Sequence, residues 1–299
     1  MDLRVKFFYL ICSFLGLFIP YCQAAVYVLP NKGDVVGKIQ HVGSEVNETI
    51  EDVGRRWGIG YYEMINANPK VDARNTLSAN TSLIIPSQFI LPPGPRRGIV
   101  INLAEYRLYY FPPDENVVFT FPIGIGKKGW STPVGSTKVT AKVTHPTWRP
   151  TTKVLAAAEQ IGAPLPEVFP PGPNNPLGDY ALRLSWPSFL IHGTNIVDGI
   201  GARVSAGCIR MLPSDIEYLY QMVSVGTQVR IINEPIKMGK IENQWFFQAH
   251  PSLSDHKKIK LKDLLVKKLS ILNIKKIDSS IYRELTHPSG LIIPISETS

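Results

Sequence analysis

From residue 98 to residue 232 the chain is a succession of short β-branched and aromatic runs, each too brief for a helix and each closed by turn residues. Gly98-Ile-Val-Ile-Asn-Leu103, Arg107-Leu-Tyr-Tyr-Phe111 and Val117-Val-Phe-Thr-Phe121 are three of them, and Ser136 to Val143 alternates Thr137, Val139, Ala141 and Val143. Further strands are predicted at Tyr180 to Leu184, Ser188 to Ile191 and Gln228 to Ile232. One helix is expected, Pro213 to Val223, with Ser214 and Asp215 as candidate caps. The segment Ala163 to Pro176 carries prolines at 164, 166, 170, 171, 173 and 176, which forbid a regular ladder and predict a fixed surface loop. Residues 97–233 should therefore form a mainly β domain within a chain that is α+β overall.

A smaller pattern precedes it. Residues 38–86 read as strand, helix, helix, strand: Ile50, Val53 and Trp57 share one helical face, with Trp57 expected in the core, and a second helix runs from Tyr61 to Asn66 until Asn68-Pro69 stops it. Ser82-Leu-Ile-Ile-Pro86 closes the unit. This order, with Val53-Gly-Arg-Arg-Trp-Gly-Ile59, Met64-Ile-Asn-Ala-Asn-Pro69 and Leu83-Ile-Ile-Pro86, resembles a LysM module. The resemblance implies a shallow groove that binds the N-acetylglucosamine-containing glycan of cell walls; the residues alone also allow a spacer domain without a ligand. Pro92-Pro-Gly-Pro95 reads as a stiff linker.

With 44% hydrophobic and 19% charged residues the chain is neither disordered nor low in complexity. Its three cysteines, at 12, 22 and 208, exclude a disulfide-rich scaffold. Residues 1–24 have a basic start (Arg4, Lys6), an apolar run from Phe7 to Ile19 and small residues at Cys22 and Ala24, the pattern of a secretory signal cleaved after Ala24. The other reading is an uncleaved anchor, but the run is shorter than the roughly 20 residues a span requires. An exported chain then carries Cys208 alone, either as an inert buried thiol or as a nucleophile.

The net charge of +8 is concentrated in residues 236–299, where 11 Lys and Arg face 6 Asp and Glu; residues 25–235 hold only +2. This segment is read as a basic C-terminal extension. Leu261, Leu264, Leu265 and Leu272 recur at near-helical spacing there, predicting an amphipathic helix that packs on the main domain or meets anionic envelope material. Nucleic acid is disfavoured, because the charge is not interleaved with stacking aromatics. His41, His145, His250, His256 and His287 show no metal-ligand spacing and are assigned to surface or loop positions.

The chemistry is expected in Ile191-His-Gly-Thr-Asn195 and Ile200-Gly-Ala-Arg-Val-Ser-Ala-Gly-Cys-Ile-Arg-Met211. A thiol attacks as thiolate, which an imidazole generates by taking its proton, so His192 is the natural partner of Cys208. Gly207 lets backbone pass close to a substrate, amides near Cys208 are placed to receive an oxyanion, and Arg210 would share the Cys208 side of an extended segment, where it suits a carboxylate.

His192-Gly-Thr-Asn and Val204-Ser-Ala-Gly-Cys-Ile-Arg210 closely resemble the paired motifs of the YkuD-type L,D-transpeptidases. Gly124-Ile-Gly126, Thr132-Pro-Val-Gly135 and Pro171-Gly-Pro-Asn-Asn-Pro-Leu-Gly178 resemble further segments of the periplasmic ErfK/YbiS branch. The resemblance implies that Cys208 attacks the carbonyl between meso-diaminopimelate, third in a stem tetrapeptide, and the terminal D-alanine. A thioester forms, and an amine acceptor resolves it into a 3→3 cross-link or an anchored envelope lipoprotein. His192 would serve as base and then acid with the Gly193 carbonyl orienting it, while Ser205, Gly207 and Arg210 shape the site; no metal or organic cofactor is implied. Many members carry a second histidine where this chain has Ala206, which bears on substrate contact rather than on base catalysis. An L,D-carboxypeptidase using water as acceptor, or a non-catalytic wall-binding protein, fits the same residues less fully.

Overall fold

The computed structural model describes residues 25–253, 260–274 and 277–295; the expected signal segment 1–24 lies outside them, as does part of the lysine-rich stretch 257–276. The N-terminal part holds β1 (Ala25–Val28), β2 (Val35–Gly37), β3 (Gln40–Gly43), α1 (Ile50–Arg56), α2 (Tyr61–Ala67), β4 (Ser82–Ile85) and β5 (Gln88–Ile90). The central part begins with β6 (Gly98–Asn102), β7 (Arg107–Phe111), β8 (Val117–Pro122), β9 (Ile125–Gly126), β10 (Gly135–Thr144) and α3 (Thr152–Gln160). It continues with β11 (Tyr180–Leu184), β12 (Leu190–His192), β13 (Arg203–Ser205), β14 (Ile209–Arg210), α4 (Pro213–Met222) and β15 (Gln228–Ile232). Last come β16 (Ile236–Ile241), β17 (Gln244–Ala249), α5 (Leu261–Ile271), α6 (Ser279–Glu284) and β18 (Ile292–Pro294).

A nine-stranded sheet in the order β1-β8-β7-β6-β15-β10-β11-β12-β14 organises the molecule. The apolar runs of its central strands do not alternate with polar residues because both faces are covered. Ile99, Ile101, Leu108, Tyr110, Phe119 and Phe121 point to one side, where Ile216 and Leu219 of α4 close the core. Val100, Tyr109, Phe111 and Val118 point to the other, against Ile50, Val53, Met64 and Phe89. The mainly β, α+β architecture follows from this doubly covered sheet.

The strand-helix-helix-strand unit is thus fused to the sheet. A buried ion pair sits in the contact: Arg107 Nε and Nη2 donate to the two Glu63 carboxylate oxygens at 2.8 Å each, with Thr120 Oγ1 and the Gly58 carbonyl accepting at 3.0 Å. The start of α2 also docks on the connection that joins His192 to Cys208, where Tyr61 N–H donates to the Ile200 carbonyl and Tyr62 N–H to that of Gly201. Gly201 has φ +84°, and a Cβ there would meet the Tyr61 nitrogen at 2.2 Å, so only glycine permits this approach.

Pro92 to Pro95 is held in place by Arg230, which donates to the Pro93 and Pro95 carbonyls. Several local expectations change. The helix α3 has no counterpart in the sequence reading, nor does the pairing of β1 with β8. The C-terminal extension is a folded unit: β16, β17 and β18 form a sheet whose Phe247 and Ile236 pack with Leu265 and Leu269 of α5. It is fastened by Lys237, whose ammonium donates to Glu105 Oε2 at 2.6 Å and to Tyr109 Oη at 3.2 Å; His250 Nε2 lies 3.6 Å from the same carboxylate oxygen without a hydrogen bond. His250 is therefore a buried residue and not a surface one; burial holds its pKa down at about 4.

The caps expected on α4 also fail: Leu212 occupies the N-cap position without a side-chain bond, and Asp215 turns inward, 2% exposed. Burial raises its pKa to about 7, only partly offset by Arg107. A carboxyl with a raised folded pKa contributes most below its unfolded value and loses that contribution as pH rises through 7. Asp215→Asn should therefore stabilise the protein at pH 8 by up to about 4 kcal/mol, and not at pH 4. Melting temperatures at the two pH values provide the check; equal shifts at both would contradict it.

Candidate active site

Strands β12 and β14 run parallel in the register Ile191 to Ile209 and His192 to Arg210. Strand alternation then sends Ile191 and Ile209, 0% and 1% exposed, into the core. Leu190, His192, Cys208 and Arg210 fall on the opposite side, and all four line one cleft of about 820 Å³.

His192 is buried, and its Nδ1 donates to the adjacent Gly193 carbonyl at 2.7 Å, which leaves Nε2 as an acceptor. Burial, with the Arg210 charge second, lowers its pKa to about 4, although the Gly193 and Leu177 carbonyls work in the other direction. The imidazole is neutral at pH 7. Burial raises the Cys208 thiol, against the Leu190 amide and Arg210, and the thiol donates to the Ser188 carbonyl at 3.4 Å rather than to the imidazole. Ser188 presents that carbonyl from a left-handed turn, φ +65°.

The turn before Cys208 is braced from two sides. Ser205 Oγ donates to the Cys208 carbonyl at 2.5 Å and accepts the Gly207 N–H at 3.1 Å, so that amide is engaged and not open to an oxyanion. Thr132 Oγ1, bonded to the Gly126 amide, donates to the Gly207 carbonyl at 2.8 Å. Gly207 itself has φ +112° and a Cβ there would press on the Phe189 ring. In the sequence Thr132 and Leu177 stand out only as members of family segments, and Ser188 only as the start of a strand.

Lys127, Arg149, Arg183 and Arg210 line the cleft, with no acidic side chain among the described lining residues. Nε of Arg210 is buried without a hydrogen-bond partner, the state of a guanidinium set up for an anion. Trp148, Trp186 and Phe189 add apolar surface. Trp130 stands outside, with the Lys153 ammonium 4.2 Å and the Lys127 ammonium 5.5 Å from its ring centroid. Among the described residues no cluster of three or more His, Cys, Asp or Glu is suited to a metal ion.

A β-rich sheet with a cysteine, a histidine and an arginine on one face at its edge defines a class, and sequence comparison identifies it. The YkuD family model, the L,D-transpeptidase catalytic domain, matches residues 96–231. The chain is 44% identical over 233 residues to probable L,D-transpeptidase ErfK/SrfK of Escherichia coli strain K12, covering 76% of this chain and 74% of that one. It is 42% identical over 259 residues to probable L,D-transpeptidase YbiS of the same strain, covering 85% and 84%. An identity of 40% over 255 residues, 83% and 79% of the two chains, relates it to probable L,D-transpeptidase YcfS. Among solved structures, an L,D-transpeptidase from Mycobacterium smegmatis matches 48% of this chain and 61% of its own at 26% identity, with a TM-score of 0.35. The chain belongs to the YkuD-type L,D-transpeptidases: it is a transferase of the cell wall, and peptidoglycan is the substrate the family implies.

Proposed function

We propose that Cys208 carries acyl transfer through a thioester; the reading is supported by the one face shared by Leu190 and His192 of β12, Arg210 of β14 and Cys208 just before it. The Cys208 side chain rotates from the Ser188 carbonyl towards the imidazole, and His192 takes the thiol proton as sulfur attacks the carbonyl of meso-diaminopimelate. The proton passes to the leaving amine of D-alanine, so that a thioester and free D-alanine result. An acceptor amine then attacks the thioester, loses its proton to His192, and the expelled sulfur regains it as thiol. Arg210 and the other cleft cations hold the carboxylates of the acidic stem peptide. The Gly193 carbonyl fixes the imidazole, and Ser205 with Gly207 holds the turn that presents sulfur. The products are 3→3 cross-links or, with a lipoprotein amine as acceptor, an anchored envelope protein.

Residues 38–86 act in this reading as a LysM-like glycan-binding module. Helices α1 and α2 make the contact with the catalytic part, through Glu51 to the Gly199 amide, Glu63 to Arg107 and the Tyr61 and Tyr62 amides, whereas the loops Ser44 to Thr49 and Asn68 to Thr81 bond within their own unit. Export through a signal in residues 1–24 places the enzyme in the periplasm; no helix among the described residues is long and apolar enough to cross a membrane. The C-terminal unit presents the exposed Lys262 and Lys267 of α5 to anionic envelope surface.

Intact-protein mass spectrometry with a carbapenem, an acylating mimic of the donor, tests the nucleophile. An adduct of one drug molecule is expected on the wild type and none on Cys208→Ala; a folded wild type without adduct would overturn the mechanism. Products formed from purified tetrapeptide muropeptides then separate cross-linking from hydrolysis.

A further inference from the structure

Between β10 and β11 the chain leaves the sheet for more than thirty residues, carrying α3 and the proline-rich segment. This strap supplies Pro146, Trp148, Arg149, Val154, Pro176 and Leu177 to the cleft lining. Proline brings a carbonyl but no amide proton, so a strap of this composition has more acceptors than donors. Its outermost ends meet where the His145 N–H donates to the Asp179 carbonyl at 2.7 Å, and just inside them one side chain gathers the strap. Asn175, 1% exposed, donates from Nδ2 to the carbonyls of Pro146 at 2.7 Å, Pro170 at 3.1 Å and Phe169 at 3.2 Å. Its Oδ1 accepts the Leu177 N–H at 2.9 Å. A reciprocal pair of backbone bonds between Trp148 and Phe169 runs beside it.

The same amide therefore faces two ways. Its nitrogen holds the wall that carries Trp148 and Arg149, and its oxygen holds Leu177, which lines the cleft beside His192 and whose carbonyl oxygen lies 3.3 Å from where a Cβ on Gly193, the imidazole's carbonyl partner, would stand. We propose that Asn175 is a positioning residue of this enzyme, fixing the strap as one wall of the donor cleft through Nδ2 and the His192 imidazole through Leu177. This rests on the cleft being catalytic, as argued above. A displacement of about 1 Å in either element would be felt strongly in rate, since near-attack geometry is lost over such distances.

The two arms separate by substitution in the full chain. Asn175→Asp keeps an oxygen for the Leu177 amide but replaces the donor with a second acceptor facing three carbonyls; Asn175→Ala removes both arms. With a tetrapeptide muropeptide as donor, and constants referred to the carbapenem-titratable enzyme, Asn175→Ala should raise KM and lower kcat, each by about tenfold. Asn175→Asp should raise KM to a similar degree with kcat within about threefold of wild type. Asn175→Ser, which restores a short donor and acceptor, should recover part of both constants and stands in should the other variants fold poorly. Constants within twofold of wild type in all three variants, or a fall in kcat that merely follows the folded fraction with KM unchanged, would overturn the proposal. An inactive wild type with no Cys208-dependent adduct would instead defeat the catalytic reading on which it rests.

Discussion

Arg107→Met is expected to destabilise the protein by about 3–5 kcal/mol, lowering its melting temperature by roughly 10 °C. The reason lies in what is left behind. Glu63 is 7% exposed and among the described residues receives, besides Arg107, only the Gly60 amide, so the substitution strands a carboxylate where water does not reach. Its pKa is already raised by burial, against the pull of Arg107, and removing the guanidinium drives it further up. Such a carboxyl stabilises when protonated and loses that contribution as pH rises, so the deficit should be larger at pH 8 than at pH 5. The double variant Arg107→Met, Glu63→Leu should recover much of the loss, since paired removal leaves no unmatched charge. Urea titrations of the four proteins of the cycle measure the coupling; a double variant as unstable as the sum of the singles would refute it.

His192→Ala should lower acyl transfer by roughly 10²–10⁴-fold, the usual range for a lost general base. The wild-type pH profile carries the sharper signature. With the imidazole held at about 4 by burial and by Arg210, its basic form dominates from pH 5 upward, and the thiol, raised by burial, stays protonated through neutrality. Activity should therefore climb through pH 4 and level off well below neutrality, and this acid limb should vanish in the variant. A wild-type limb centred near pH 6.5 would show that the imidazole titrates as in free solution. Acid exposure carries a cost in stability too: a histidine with a depressed folded pKa favours folding above its unfolded value, and that contribution fades between pH 6.5 and 4.

What the sequence disclosed and what it withheld divide along the reach of the interactions. Runs such as Ile99 to Ile101 and Leu108 to Phe111 announce strands because both faces of the sheet are buried, and the two-residue period alone places Cys208 and Arg210 on one side. The helix α3 escaped because it is only nine residues long and its apolar stripe, Val154, Leu155 and Ala158, is correspondingly short, with Ala158 alone fully buried. The C-terminal hairpin was hidden for the opposite reason. Lys237 reads as a surface charge in a basic tail, yet it is 2% exposed and its partner Glu105 lies 132 residues away. Asn175 and Thr132 owe their roles to carbonyls set by the folded path of the chain, at Pro146 and Gly207, which local spacing cannot announce.

The two buried ion pairs set terms for how such a chain can be inherited. Glu63 and Lys237 come from opposite ends of the sequence, and each ends on the same strand-turn segment around β7, at Arg107 and Glu105. A recombination event that imported a new N-terminal or C-terminal segment would have to bring the matching charge at the matching depth, or leave its host with an orphaned ion. The three segments are thus not freely exchangeable beads. They form one physical block, whose outer parts stay keyed to the sheet through Glu63 and Lys237.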